Sequence, residues 1–290
     1  MADLKSCLLV MRTSLQKWLL TPKFLSLILA GVVFIGFMVD GFPGFLREHG
    51  LSITPWVSPF LFNSLPGLMF FCFLLTFLFS NAPFMDQQVV FLIARVGKRN
   101  WIAGQLLFIL AASMILSLFF FITPVFFLLR HLNMSWEWGQ VMFSLAREPH
   151  LFPRSIGFSV SNHVLTSLTP VAASLYGLFL FFVVSVFIGF VILSFNLILR
   201  NTAGLVMIGF FIFMVPFSLV VGSVMFNIGF LLVHFSPLNW MQVSSIDWDS
   251  SLGLPNLLYV ILILLISIII MAMSSVYFFC RRDLELKGDG

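Results

Sequence analysis

The sequence predicts an all-α membrane protein with one transmembrane domain, residues 1–290, and two observations carry this prediction. Hydrophobic residues make up 60% of the chain and charged residues only 9%, and the mean hydropathy is +1.10; soluble domains carry about 25% charged residues. Long stretches contain no Asp, Glu, Lys or Arg: 51–85, 101–129, 155–199, 201–246 and 250–280. About 20 apolar residues in a helix cross the bilayer core. Helices are expected because backbone groups in lipid must find partners within their own segment.

Six transmembrane spans are predicted from these stretches: 24–40, 61–80, 101–129, 172–199, 203–233 and 257–280. The fifth is longer than a crossing requires, and Pro216 and Gly222 interrupt it. Residues 224–240 are therefore either the outer part of a kinked fifth helix or a separate re-entrant helix. The sequence leaves both open.

Lysine and arginine are distributed unevenly over the segments between the spans. With a cytoplasmic N-terminus, eleven of the 15 lie inside, and four lie outside: Arg47, Arg130, Arg147 and Arg154. The positive-inside rule therefore predicts a multi-pass protein of the cytoplasmic (plasma) membrane with both termini in the cytoplasm. The same bias accounts for the net charge of +4 without a nucleic-acid partner.

The segment 1–22 is predicted to form an elbow helix in the cytoplasmic membrane interface. Its apolar residues fall on one helical face at spacings of three and four: Leu4, Leu8, Met11, Leu15 and Trp18. We expect this face to contact lipid, with Arg12 and Lys17 near the headgroups and Trp18 at the boundary. A plain basic flank is the alternative interpretation.

Residues 130–171 are predicted to be an extracytoplasmic loop without a core of its own. Ser135 is expected to cap a short helix, with Trp136 and Trp138 placed at the outer interface.

Residues that commonly carry chemistry are sparse. The chain has no phosphate-binding G-x-x-x-x-G-K-[ST] motif and no predicted catalytic residue. His131, His150 and His163 match no metal-ligand spacing, so no metal site is predicted. No carboxylate or lysine falls inside a span except Asp40, which marks the end of the first, and this argues against a proton- or sodium-coupled transporter.

Cysteines and amides are assigned structural roles. The three cysteines form no CxxC pair, and thiol reagents are expected to reach Cys7 and Cys280 from the cytoplasm. Asn63, Asn196 and Asn227 are expected to link helices by hydrogen bonds.

One cytoplasmic segment, 83–96, is predicted to form a short helix between the second and third spans. Ser80 or Asn81 can cap this helix, Asp86 suits its positive end, and Gly97 ends it. It is apolar almost all round from residue 89 to residue 94. We therefore expect it to pack against a protein partner or against the helical bundle.

Two motifs in this region resemble the type-2 (exporter-like) permease subunit of ATP-binding-cassette transporters. They are Pro83-Phe84-x-Asp86 and Ala94-Arg95-Val96-Gly97-Lys98-Arg99-x-Trp101-Ile102-x-Gly104-x-Leu106-Leu107. In that family the segment is the coupling helix, which contacts the ATPase. Gln105 stands where many members carry Lys.

The resemblance implies two permeases, as a homodimer or heterodimer, each bound to one of two ATPase subunits. ATP and Mg would act through those partners, with no cofactor in this chain. It assigns ATPase coupling to eight residues: Phe84, Asp86, Gln87, Phe91, Leu92, Arg95, Lys98 and Arg99. The expected function is export of an amphipathic cargo (a peptide, a lipid-like compound or a drug). A membrane-embedded enzyme and a non-transporting immunity or scaffold protein are the alternatives.

Overall fold

The computed structural model describes residues 3–84, 89–153, 155–199, 202–224, 231–250 and 252–281. The structure is 77% helical and has no β-strand among those residues, which confirms the all-α class. Its helices are α1 (Leu4–Leu19), α2 (Pro22–Val39), α3 (Phe42–Glu48), α4 (Leu65–Phe79), α5 (Val89–Val96), α6 (Lys98–Leu128), α7 (Gly139–Arg147), α8 (Asn162–Ser167), α9 (Pro170–Leu199), α10 (Ala203–Val224) and α11 (Leu257–Arg281). Short 3-10 turns occur at Ser58–Phe60, Leu129–His131, Pro149–Leu151, Asn239–Met241 and Val243–Ser245.

Four helical stretches are long and apolar enough to cross a membrane: Pro22–Glu48, Lys98–His131, Pro170–Leu199 and Leu257–Arg281. They contain the predicted first, third, fourth and sixth spans. The structure thus supports a membrane protein at this level of detail. The predicted second and fifth spans correspond to the shorter apolar stretches Leu65–Phe79 and Ala203–Ser218.

The helix within the predicted second span, 61–80, begins four residues after the start of that span. α4 begins only at Leu65, because the hydroxyl of Ser64 caps it by accepting from the amide of Gly67 at 3.3 Å. Residues 60–62 are buried just before the helix, at the end of a 3-10 turn and in the turn that follows it. With 15 residues, α4 is about 22 Å long.

α9 is the central helix of the bundle and is buried along most of its length. It packs against α4, α6, α10 and α11. Serine hydroxyls link it to two neighbours: Ser185 donates to Ser113 of α6 at 3.1 Å, and Ser194 and Ser275 of α11 lie 2.7 Å apart. Such hydrogen bonds and small residues hold helices together where no hydrophobic effect acts between them.

The outer helices expose apolar rather than polar faces. On α2, Leu25, Leu29, Val33 and Phe37 are each more than half exposed and recur every fourth residue. α11 exposes a similar face that includes Leu258, Ile266 and Met273. A protein in water would bury these side chains, so their exposure fits contact with lipid.

The bundle has two ends, which we call the termini end and the loop end. At the termini end, the amide of Asp3 donates to the Asn100 side chain at 3.0 Å, and Phe279 stacks on Trp101 at 4.8 Å between ring centroids. The described parts of both termini therefore lie together. The loop end carries α3, α7, α8 and the segment before α11.

The structure corrects the predicted helix in the loop 130–171. α7 begins at Gly139, which has a φ of +73° and follows Trp138, with no side-chain cap from Ser135. Trp138 is buried and donates its indole N–H to the carbonyl of Leu168 at 2.9 Å. Only Trp136 of the predicted interfacial pair is exposed. Tertiary packing on the bundle end, rather than the interface, positions this helix.

The choice between a kinked and a re-entrant helix at 224–240 falls partly outside the described residues. α10 passes through Pro216 and extends to Val224, whereas residues 225–230, with Asn227, are not described. Beyond them a turn begins at Ser236, where the amide of Asn239 donates to the Ser236 carbonyl at 3.0 Å. Trp240 in this turn is fully buried.

Candidate functional site at the termini end

α1 docks tightly on α6, whereas the sequence predicted that its apolar face contacts lipid. Cys7, Val10 and Trp18 are its buried residues. Gly104 of α6 permits the close approach, because a Cβ at that position would lie 2.5 Å from the Cβ of Val10. Leu4 and Leu8 point outward and are exposed, as expected for the lipid-facing side.

Trp18 was predicted to belong to the lipid-contacting face of this helix, but it packs against protein. Its side chain is buried, with ring centroids 4.5 Å from Phe24 and 5.5 Å from Phe108. An aromatic residue near a helix end is equally suited to an interface and to a protein core, and only the contacts distinguish the two.

Two α6 side chains that the sequence did not assign to the site join α1, α5 and α6. Asn100 accepts from the amide of Asp3 and donates to the carbonyl of Val96, the last residue of α5, at 2.7 Å. Gln105 is buried and donates to the Ser14 hydroxyl of α1 at 3.1 Å. The bonds that Asn100 and Gln105 make to α1 have no sequence signal, because each joins residues far apart in the chain.

Of the predicted helix 83–96, the structure describes residues 83–84 and 89–96, and α5 covers Val89–Val96. Phe84 lies before it in a turn, half-buried, with its ring edge-on to Phe108 at 4.8 Å. Asp86 and Gln87, two of the predicted coupling residues, lie outside the described residues. Val89 and Ile93 pack inward.

Gly97 separates α5 from α6, as predicted. Its φ of +84° and ψ of 152° belong to a backbone region that is essentially restricted to glycine. The amide of Gly97 donates to the Ile93 carbonyl at 2.8 Å, and its carbonyl accepts from Trp101 at 3.1 Å. The glycine therefore fixes the angle between the two helices.

The outer face of α5 is apolar at its centre and basic at its edge. Phe91 is 78% exposed and Val90 is also exposed. Arg95 follows one turn later and is exposed, and Arg99 is exposed in the first turn of α6. Leu92 and Lys98 are partly buried. Arg12 is exposed on α1 and does not line the cavity described next.

A cavity of about 610 Å³ lies between α1, the start of α2, the end of α4 and α5. Three basic residues line it from three helices: Lys17, Lys23 and Arg95. The other lining residues are neutral: Thr13, Ser14, Trp18, Thr21, Leu78, Asn81, Phe84, Val89, Phe91, Leu92 and Trp101. Four of the eight predicted coupling residues, Phe84, Phe91, Leu92 and Arg95, thus meet two of the elbow residues, Lys17 and Trp18. Lys98 and Arg99 lie outside the cavity.

Asn196 connects this end to the α9–α10 junction. Its amide donates to the Ala82 carbonyl at 2.6 Å and accepts from the Gly204 amide at 2.8 Å. The prediction that Asn196 links helices by hydrogen bonds is confirmed. The connection after α4 and the connection after α9 are therefore held together.

A second group of chemically capable side chains lies at the loop end and was missed by the sequence. His163, Asp247 and Asp249 bring donor atoms of the kind that bind metals within 4.8 Å of one another. The Asp247 carboxylate also accepts from the amides of Leu252 and Gly253, at 3.1 and 3.0 Å. His163 Nδ1 is 3.6 Å from Asp249. This group braces the segment before α11, and no spacing rule joins residues so far apart.

Comparison of the chain with protein-family models, with curated proteins and with solved structures finds no match. The termini end nevertheless combines three features. α5 has an exposed apolar face, hydrogen bonds link it to α6 and α6 to α1, and a cavity lined by three basic residues lies between α5 and α1.

Proposed function

We propose that this chain is the permease subunit of an ATP-driven exporter of the type-2 ATP-binding-cassette class. The observation that carries the proposal is α5, a short helix that lies in the chain between the apolar helices α4 and α6. The side chain of Phe91, near the middle of α5, is exposed. Its position is the one that a coupling helix occupies in the family the sequence resembles. A separate ATPase subunit is the partner expected at that face.

The chemistry of the α5 face favours a protein partner. Burying a phenylalanine side chain stabilises a complex by about 1.5–3 kcal/mol, and the bare Phe91 can supply this on docking. Arg95 and Arg99 flank it at the edge, where charged residues fix orientation more than they add affinity. An apolar anchor with a polar rim is the usual anatomy of a protein interface.

In this proposal the bundle crosses the membrane six times. The four longer helical stretches account for four crossings. α4 and α10, each with its flanking segments, account for the other two. The termini end then faces the cytoplasm, because eleven of the 15 lysine and arginine residues lie in the segments on that side. The elbow helix α1 and the coupling helix α5 lie on that same side.

The links at this end provide a physical route for the motion. Closure of two ATPases on ATP would displace α5 in each of two paired permeases. Gly97 and Asn100 tie α5 to α6, and Asn100 and Gln105 tie α6 to α1. Asn196 extends the connection to α9 and α10. The helices would therefore move together, which is the arrangement that alternating access between inside and outside requires.

An amphipathic cargo fits the composition best. The chain contains 38 Phe residues, and no carboxylate occurs within the six helices proposed to cross, α2, α4, α6, α9, α10 and α11. A free cation would need such a group or a ring of carbonyls. A peptide, a lipid-like compound or a drug would not.

The test is purification of the tagged chain from membranes, followed by identification of a bound subunit that carries a phosphate-binding loop and hydrolyses ATP. Phe91→Asp is expected to abolish its recovery while the permease still inserts. Trp136→Asp is the matched control, since Trp136 is 77% exposed at the loop end, and recovery should stay unchanged. Equal recovery with both variants would refute the assignment of α5.

A further inference from the structure

We infer that the segment 132–138, between α6 and α7, docks at the membrane surface on the loop-end side of the bundle. Its apolar tips are Met134, which is 82% exposed, and Trp136, which is 77% exposed. Apolar side chains grouped on a surface mark a contact with another apolar surface. The surface in this case is lipid, with the two tips among the headgroups and first acyl carbons.

Hydrogen bonds from the segment before α4 hold these residues in place. The amide of Ile53 donates to the His131 carbonyl at 2.9 Å, and the amide of Asn133 donates to the Ile53 carbonyl at 2.8 Å. Nearer the tip, the indole N–H of Trp56 donates to the Ser135 carbonyl at 2.7 Å. The apolar tips are therefore presented on a fixed backbone, so docking does not carry the entropic cost of ordering a loop.

The position of the segment along the chain favours lipid as the occupant. It directly follows Lys98–His131, a stretch long and apolar enough to cross a membrane. Towards the end of that stretch, Ile122, Phe126 and Leu129 are exposed at spacings of four and three residues, which places them in one apolar stripe. Lipid is the expected contact of such a stripe. Met134 lies five residues after its last member, and the chain there reaches the level of the headgroups.

The residue types also suit a membrane surface. Tryptophan is enriched where hydrocarbon meets headgroups, because its ring is apolar and its indole N–H is polar. The ring of Trp136 lies 6.1 Å from that of Trp56 between centroids, so two indoles are grouped at this point. The neighbours Asn133 and Glu137 are polar and exposed and can remain among headgroups and water. This docking does not depend on the ATPase partner.

The experiment places a photo-activated diazirine amino acid at position 136, or at position 134, of the full chain in vesicles of palmitoyl-oleoyl phosphatidylcholine. After illumination, mass spectrometry measures the phosphatidylcholine adduct on each labelled peptide. Position 148 is the control, because Glu148 is exposed just beyond the far end of α7. We expect at least about fivefold more lipid adduct at positions 136 and 134 than at position 148.

Two results would overturn the inference. Equal amounts of lipid adduct at positions 136 and 148 would show that the segment has no preferred contact with lipid. An adduct between position 136 and a second copy of the chain, in place of lipid, would assign the surface to a dimer. If the label at position 136 prevents folding, position 134 gives the same test by itself. The vesicles contain no ATPase, so none of these results bears on the assignment of α5.

Discussion

Individual side chains at the termini end show which residue-level expectations hold. Gly97 ends α5, as the sequence predicted, and it does so with a backbone conformation that only glycine readily adopts. Trp18 and Trp138 were expected at the membrane surface but are buried, because a tryptophan serves a core as well as an interface. Gln105, which departs from a family pattern, binds Ser14 of α1 instead of facing solvent.

Cys7 and Cys280 are expected to differ sharply in reactivity, whereas the sequence predicted that reagents reach both. Cys7 is 3% exposed, and burial, with a smaller effect of the Asp3 carboxylate, raises the pKa of its thiol. Cys280 is only partly buried. Because the thiolate is the reactive form, we expect maleimide to modify Cys280 at least about tenfold faster. The rates can be measured by peptide mass spectrometry of inside-out vesicles. Similar rates would contradict the packing of α1.

Gly97→Ala is predicted to destabilise the junction through the backbone alone. A Cβ at this position meets no atom within 4 Å, so no clash arises, but a φ of +84° is unfavourable for alanine. The expected cost is about 1–3 kcal/mol of unfolding free energy, measured by titration with a denaturing detergent.

The control for this substitution is Gly209→Ala on α10. Gly209 also has no atom within 4 Å of a built Cβ, but it lies inside a helix, where alanine is favoured over glycine by about 1 kcal/mol. Its substitution should leave stability unchanged or raise it. A loss at Gly209 equal to that at Gly97 would contradict the backbone explanation.

At the scale of elements, α1 packs closely on α6, and in the function proposed above this packing would allow α1 to move with α6. The sequence predicted an interfacial helix over 1–22, and the structure has α1 over Leu4–Leu19. The spacing of apolar residues in this segment correctly predicted that Leu4 and Leu8 are exposed. It could not show that Cys7 and Val10 pack inward. A helix between lipid and protein has two apolar faces, and periodicity alone does not say which one touches protein.

Gly104→Leu is expected to displace α1 from α6. A Cβ at Gly104 would already approach Val10 to 2.5 Å and the Cys7 carbonyl to 3.0 Å, so a larger side chain cannot fit without separation of the helices. Separation exposes Cys7, and its maleimide labelling should rise towards that of Cys280. Gly209→Leu, in open space, should leave Cys7 protected. Unchanged Cys7 labelling in Gly104→Leu would show that α1 is not held at this point.

At the scale of the whole molecule, membrane character and helical class follow from charge-free runs, because lipid permits few alternatives. The bounds of the longest helices can be predicted from these charge-free runs to within a few residues. The predicted span 172–199, for example, matches α9, which is Pro170–Leu199. The prediction of the second span was less accurate at its start. Ser64 caps α4, and the apolar residues just before it lie in a buried turn instead of in the helix.

The arrangement of the candidate site was only partly predictable. Phe91, Leu92 and Arg95 were found from their position in a short apolar helix beside a glycine. Asn100 and Asn196 act through contacts with distant segments, and the group of His163, Asp247 and Asp249 is assembled from two segments far apart in the chain. Such convergence depends on the packing of helices that one sequence does not specify by spacing.

The central claim is that α5 contacts an ATPase, and a photo-crosslinker placed at position 91 in living cells tests it most directly. We predict a covalent adduct between residue 91 and a protein that carries a phosphate-binding loop. The same crosslinker at position 136, equally exposed at the loop end, should give no such adduct. If position 91 yields no ATPase adduct in cells where the chain is functional, α5 is not a coupling helix and the exporter account is wrong.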